Sequence, residues 1–282
     1  MGTGLVLEGG SMRGLFTMGV LDTFVEQGIR VDSCVGVSAG VAFGCNYKSG
    51  QVGRVLRYNT DFCRDWRFKS WRSLIITGDL FGADFCYNRI PNELDPFDCD
   101  AFESNPVDFW AVVTDCDSGE AVYHKLHRGG DEDMRWVRAS ASMPIASHPV
   151  YIDGHRYLDG GLTDSIPLEF MEKEGFKRNI VVLTQPRNYV KEPMSKALVT
   201  VLRAQGLNTA ADLLRDRHIL YNRQTEYVGE RESEGAALVL APSGPLNIGT
   251  LEREPAEFRR VYDEGVRVAV ENLEKVRDFV GM

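Results

Sequence analysis

No run of 18 consecutive apolar residues occurs in the 282-residue chain, which excludes a conventional membrane-spanning helix. Paired cysteines are missing too. Cys34, Cys45, Cys63, Cys86, Cys99 and Cys116 stand singly, without a CxxC spacing, and read as reduced thiols, not as a disulfide framework. The opening MGTGLVLEGG has neither the basic region nor the apolar core of a secretory signal, so a cytoplasmic protein is expected. Positive charge is in deficit, with 32 Lys and Arg against 41 Asp and Glu. The net charge of −9 argues against a nucleic-acid partner, because no basic field exists to displace counterions from phosphates. It also weakens, without excluding, tight binding to anionic membranes. Internal repeats and low-complexity tracts are absent.

What is present is an ordinary globular composition, 43% hydrophobic and 26% charged, with length for one large α/β domain or a main domain and a small appendage. Short apolar runs alternate with helix-period segments, the pattern of an α/β fold with a central, largely parallel sheet flanked by helices. Residues 4–8 (GLVLE) form an expected first strand ending in the turn GGSMRG. Leu15, Met18, Leu21 and Val25 then recur at helical spacing up to Gly28, a natural stop. Residues 31–37 supply a second strand, followed by a helix of small and apolar residues. Residues 108–114 read as a strand paired with 121–124, and Asp153-Gly154 marks a hairpin between 149–152 and 155–158. Residues 180–183 are a further buried strand, and residues 257–280 trace one long amphipathic helix.

The sharpest chemical signal is Gly36-Val37-Ser38-Ala39-Gly40. A nucleophile elbow needs a strand that turns abruptly into a helix, straining the serine backbone and pushing its hydroxyl outward. Glycines on either side remove side chains that would collide there. Small residues are common enough for GxSxG to arise by chance, so the context counts: an apolar strand precedes it and a helix follows. Ser38 also stands at a helix N-terminus, which favours developing negative charge.

The turn Gly9-Gly10-Ser11-Met12-Arg13-Gly14 can cradle an anion with its backbone N–H groups, either a phosphate or the oxyanion of acyl transfer. It precedes Ser38 by roughly 25 residues, the length of one strand–helix–strand crossover. A right-handed crossover puts both turns on the same sheet edge. A dinucleotide site would want an acidic residue ending the second strand; Gly36-Val37-Ser38 stands there, which favours the oxyanion reading. For the base, none of His124, His127, His148, His155 and His218 sits in a distinctive setting. Asp159-Gly160-Gly161 places a carboxylate at a strand end, although alone it reads somewhat more readily as a turn-former, like Asp153.

Together, in this order, the three motifs resemble the patatin-like phospholipase family: residues 8–14, 36–40 and 159–161, with ASASMPIASHPV before the hairpin similar to the segment preceding that family's aspartate. The resemblance covers about residues 4–185, implying a patatin-like catalytic domain there and a mainly helical C-terminal extension over 186–282 packed on it. It implies a metal-independent and cofactor-free serine hydrolase of lipid carboxylic esters. Ser38 would be the nucleophile, Asp159 the base, and the Gly9, Gly10 and Ser11 backbone the oxyanion hole. Arg13, Gly14, Gly36, Gly40, Gly160 and Gly161 would support the motifs. Ser11 departs from the family, which usually has a third glycine there. At positive φ a serine costs roughly 1 kcal/mol or more, yet keeps its N–H. Arg13 reads equally as an anion contact or as half of a salt bridge.

Residues 115–120 (DCDSGE) lack calcium-loop spacing and read as a hairpin turn. Residues 64–72 mix arginine with aromatics. A surface helix with buried aromatics is the commoner meaning of such a stretch, and transient seating on a lipid interface the sharper one. Other expectations for the whole chain are an acyltransferase, or a catalytically silent phosphate- or lipid-binding scaffold.

Overall fold

Apolar side chains on both faces of short β-segments determine the core. The computed structural model describes residues 2–282. Its strands are β1 (Thr3–Leu7), β2 (Ser33–Val37), β3 (Asp108–Asp115), β4 (Ala121–Leu126), β5 (Val150–Ile152), β6 (His155–Asp159), β7 (Arg178–Val182) and β8 (Ala237–Leu240). All belong to one mixed sheet, in the order β5-β6-β3-β2-β1-β7-β8 with β4 beside β3. The pairs among β3, β2, β1, β7 and β8 are parallel, and those of β3 with β4, β3 with β6 and β5 with β6 are antiparallel.

Helices cover both faces. They are α1 (Gly14–Glu26), α2 (Ala39–Ser49), α3 (Arg54–Phe62), α4 (Trp71–Thr77), α5 (Cys99–Ser104) and α6 (Asp131–Ser140) in the first half. A π-helical stretch, Phe85–Leu94, precedes α5. The second half adds α7 (Leu168–Lys173), α8 (Lys196–Ala204), α9 (Asn208–Ser233), α10 (Pro255–Glu271) and α11 (Leu273–Val280). Strand alternation sorts the core into layers. Leu5, Leu7 and Cys34 pack with Phe16 and Leu21 of α1 and Phe258 and Val261 of α10. Val6, Val35 and Val37 face the other way, with Met171 of α7 and Tyr221 and Val228 of α9. The α1–α10 crossing is close, since a Cβ on Gly265 would stand 2.0 Å from the Phe16 carbonyl oxygen.

Several expectations change. The last amphipathic run is two helices, because α10 ends at Glu271 and α11 begins after Asn272, whose φ of −108° and ψ of 9° leave the helical region. Residues 64–70 are not a surface helix but turns leading into α4, and Trp71 is exposed, not buried. The Asp153-Gly154 turn has positive φ at both residues, as a two-residue hairpin of this hand requires. Residues 115–120 form the expected turn, with the Asp115 carboxylate accepting the N–H groups of Asp117 and Ser118. The sequence reading expects a mainly helical stretch over 186–282 but places no individual helix at the 26-residue α9 and no strand at β8. Among the described residues, no helix is long and apolar enough to cross a membrane.

Candidate active site

The parallel register of β1 and β2 brings both glycine turns to one sheet edge. Ser38, between β2 and α2, has φ 56° and ψ −122°, a strained conformation for a residue with a side chain. The glycines allow its close packing: a Cβ on Gly36 would meet the Val41 N–H nitrogen at 2.6 Å, and one on Gly40 the Leu7 carbonyl oxygen at 2.5 Å. Gly9 lies directly against the elbow, where an added Cβ would stand 3.0 Å from the Ser38 Cβ. Gly14 opens α1 against Ala39 and Phe43, and Gly160 packs on the Val112 carbonyl.

The first turn is held from below. Glu8 is buried and accepts hydrogen bonds from the Thr184 N–H at 2.6 Å and the Tyr221 hydroxyl at 2.8 Å. Burial raises its pKa, against the opposing effects of these donors and of the nearby Arg13 and Lys191 charges. The Thr184 hydroxyl donates to the Gly9 carbonyl at 2.9 Å. In a trans peptide the next N–H points opposite to that carbonyl, so this bond aims the Gly10 N–H away from Thr184. Ser11 has φ 51°, the left-handed conformation in which serine carries a strain of about 1 kcal/mol. Arg13 has its Nε buried without a partner, and its charge acts on Glu8.

Asp159 closes β6 and is 1% exposed. Its Oδ1 accepts the Gly161 N–H at 2.7 Å, while Oδ2 is buried without a closed hydrogen bond. Burial pushes the carboxyl pKa up; Arg217, the Ser38 hydroxyl beside it and the Gly161 N–H favour the charged form. The segment before the hairpin ties serine and aspartate together. The Ser140 hydroxyl accepts the Ser38 N–H at 2.9 Å, and the Ser142 carbonyl accepts the Asp159 N–H at 2.9 Å.

Sequence reasoning missed the contributions of α9. Arg217 donates from Nε to the Gly161 carbonyl at 2.5 Å and faces Asp159, and Tyr221 one turn on holds Glu8. Lys191 joins this cationic group, its pKa lowered to about 8 chiefly by burial. Nothing local in the sequence marks these residues, because each acts across a long chain separation. The histidines stay apart from this constellation: His124, for instance, stacks on Trp136 with ring centroids 4.1 Å apart. Among the described residues, no three His, Cys, Asp or Glu side chains converge as a metal-ligand set.

A cavity of about 620 Å³ opens beside Ser38. Ser38 and Ser11 contribute to a wall that is otherwise mostly apolar, including Phe43, Tyr58, Phe81 and Ile90. Its walls come from α2, from α3 through the π-helical segment, from α6 and the segment after it, and from Thr250 and Leu251 of the C-terminal part.

The model of the patatin-like phospholipase family matches residues 5–171, and a domain of unknown function (DUF6363) matches residues 207–281. An uncharacterized Escherichia coli protein, YjjU, is 26% identical over 93% of this chain and 74% of its own length. Lysophospholipase NTE1 of Kluyveromyces lactis is 30% identical over 62% of this chain. The neuropathy target esterase sws of Drosophila melanogaster is 31% identical over 64% of it. The chain spans only 12% of each of these two relatives. Among solved structures, VipD from Legionella pneumophila aligns over 97% of this chain and 67% of its own, with 13% identity and a TM-score of 0.48.

Proposed function

The chain belongs to the patatin-like phospholipase family, and on that premise we propose that it is a metal-independent serine acyl hydrolase of lipid carboxylic esters, working through a Ser38–Asp159 dyad. The observation that carries this reading is the meeting of a strained Ser38, a buried Asp159 with a free Oδ2, and one apolar cavity. An acyl chain lies in the cavity, which brings the ester carbonyl to Ser38. The Ser38 Oγ attacks the carbonyl carbon as its proton passes to Asp159. The carbonyl oxygen becomes an oxyanion, held by backbone N–H groups of Gly9, Gly10 and Ser11. Each such donor is worth roughly 10²–10³ in rate. Collapse of the adduct expels the alcohol, which takes the proton from Asp159. Asp159 then draws a proton from water as its oxygen attacks the acyl-serine, and collapse of this second adduct releases the fatty acid while the proton passes from Asp159 back to the departing Ser38 Oγ.

Burial supports the base role, since a carboxylate of ordinary pKa near 4 is a weak base at neutral pH. The Arg217 charge works against the rise in pKa that burial causes and favours the carboxylate form. The names of relatives as lysophospholipase and esterase favour a lipid ester as substrate. Labelling with an active-site-directed fluorophosphonate tests the nucleophile. Stoichiometric labelling of wild type that is lost in Ser38→Ala is expected. Absence of labelling in a folded wild type would instead favour a silent lipid-binding scaffold.

A further inference from the structure

The most exposed large apolar side chains on any one element belong to α4. Trp71 is 65%, Ile75 84% and Ile76 59% exposed. With Arg72 they occupy positions i, i+1, i+4 and i+5, one continuous outer face of the helix. This face is held firmly and is not a frayed end. The Ser70 hydroxyl caps the helix by accepting the Ser73 N–H at 2.8 Å, and Gly78 closes it in the left-handed conformation. The base of the excursion is tied by the Ser70 N–H to the Leu80 carbonyl at 3.0 Å and the Gly82 N–H to the Phe68 carbonyl at 3.1 Å. Buried Asp79 accepts the His148 N–H at 2.9 Å and pairs with Arg138 at 3.3 Å. A polar framework therefore presents an apolar face to solvent, where isolated exposure would need no explanation but a contiguous cluster does.

Two observations identify what this face meets. First, Trp71 both lies on the outer face and lines the cavity that contains Ser38, so the face is continuous with the rim of the site. Second, charge around it runs against that of the whole chain. The exposed side chains of residues 64–72 include Arg64, Arg67 and Arg72, and the half-buried Asp65 is the one carboxylate in the stretch, whereas the chain carries −9. Asp65 pairs with Arg67 and Glu254 with Arg64, while Arg72, on α4 itself, lies over the Trp66 ring at 4.3 Å. Tryptophan, isoleucine and arginine on one solvent face are the chemistry of an anionic lipid interface, where apolar groups enter the acyl boundary and cations meet head groups.

We propose that α4 is the docking helix by which this protein seats on an anionic lipid surface, placing the cavity mouth against the bilayer. The inference deepens the lipid-hydrolase reading, but binding can be measured without turnover. The test uses full-length Ser38→Ala protein and vesicles of phosphatidylcholine, with or without an equal part of phosphatidylglycerol, read by co-sedimentation. Binding to the anionic vesicles, weakened by salt, is expected. The Ile75→Ser/Ile76→Ser substitutions should lower that affinity at least about tenfold, given the apolar surface they remove. In the catalytically intact background these two changes, which lie outside the cavity wall, should leave turnover of a soluble short-chain ester unchanged. Arg72→Glu should weaken binding to anionic vesicles and not to phosphatidylcholine alone. Equal vesicle affinity of the parent and the isoleucine variant would overturn the proposal, as would no vesicle binding by either. A dimer that dissociates on the isoleucine substitutions would also overturn it, making the face a contact between two copies of the chain. Loss of ester turnover in Ser38→Ala without any effect on vesicle affinity keeps the two claims separable.

Discussion

At position 38 the backbone lies at φ 56° and ψ −122°, where glycine is comfortable and any β-carbon is strained. The elbow therefore trades stability for an exposed hydroxyl. Replacing Ser38 with Gly or Ala removes the same oxygen, yet only glycine relieves the strain. Allowing for the greater unfolded-state entropy of glycine, Ser38→Gly should be more stable than Ser38→Ala by about 1 kcal/mol or more, measured by urea denaturation. An alanine variant at least as stable as the glycine one would contradict the strain. The residues of this site that were legible in the sequence are those whose role is local. Gly36, Ser38 and Gly40 form one turn, and Gly9 and Gly10 another; the crossover length between them relates the two. Ser11 is legible as a departure, and its φ of 51° shows that the turn keeps the glycine conformation despite the serine.

At the scale of elements, α9 is what the sequence concealed. Its polar and apolar residues mix along 26 positions because one end covers β6 and α8 while the middle reaches Glu8, so no single apolar stripe appears. The Arg217 bond to Gly161 spans 56 residues and the Tyr221 bond to Glu8 spans 213, distances no local pattern encodes. By contrast the two-residue Asp153-Gly154 turn and the β3–β4 hairpin were legible from adjacent residues alone. The placement of Arg217 has a consequence for pH dependence. Asp159 must be charged to act as base, so activity should rise with pH through its raised pKa. The Arg217 charge lowers the Asp159 pKa against the effect of burial, so Arg217→Met should move the acidic limb of kcat/KM to higher pH, with Arg217→Lys restoring it in part. A uniform loss of activity with the limb unmoved would mean that Arg217 only supports the Gly161 turn.

At the scale of the whole molecule, the proposed catalytic domain over residues 4–185 and the extension over 186–282 share much of their interior. β8 pairs with β7 at the edge of the common sheet, α10 crosses α1 through Gly19 and Gly265, and Thr250 and Leu251 line the cavity. We propose that the extension packs on the catalytic domain as one cooperative unit. A single calorimetric unfolding transition is the expected result, and two separated transitions would contradict it. The boundary was hard to read because no linker composition separates the parts, and the structure gives a physical reason for its absence: buried contacts join them at several points. The central claim remains chemical, and the most direct measurement is hydrolysis of a medium-chain p-nitrophenyl ester, in the presence of a chelator, by wild type, Ser38→Ala and Asp159→Asn, each verified as folded. The account predicts activity in wild type that survives chelation and is lost in both variants; activity that persists in either folded variant would contradict the dyad.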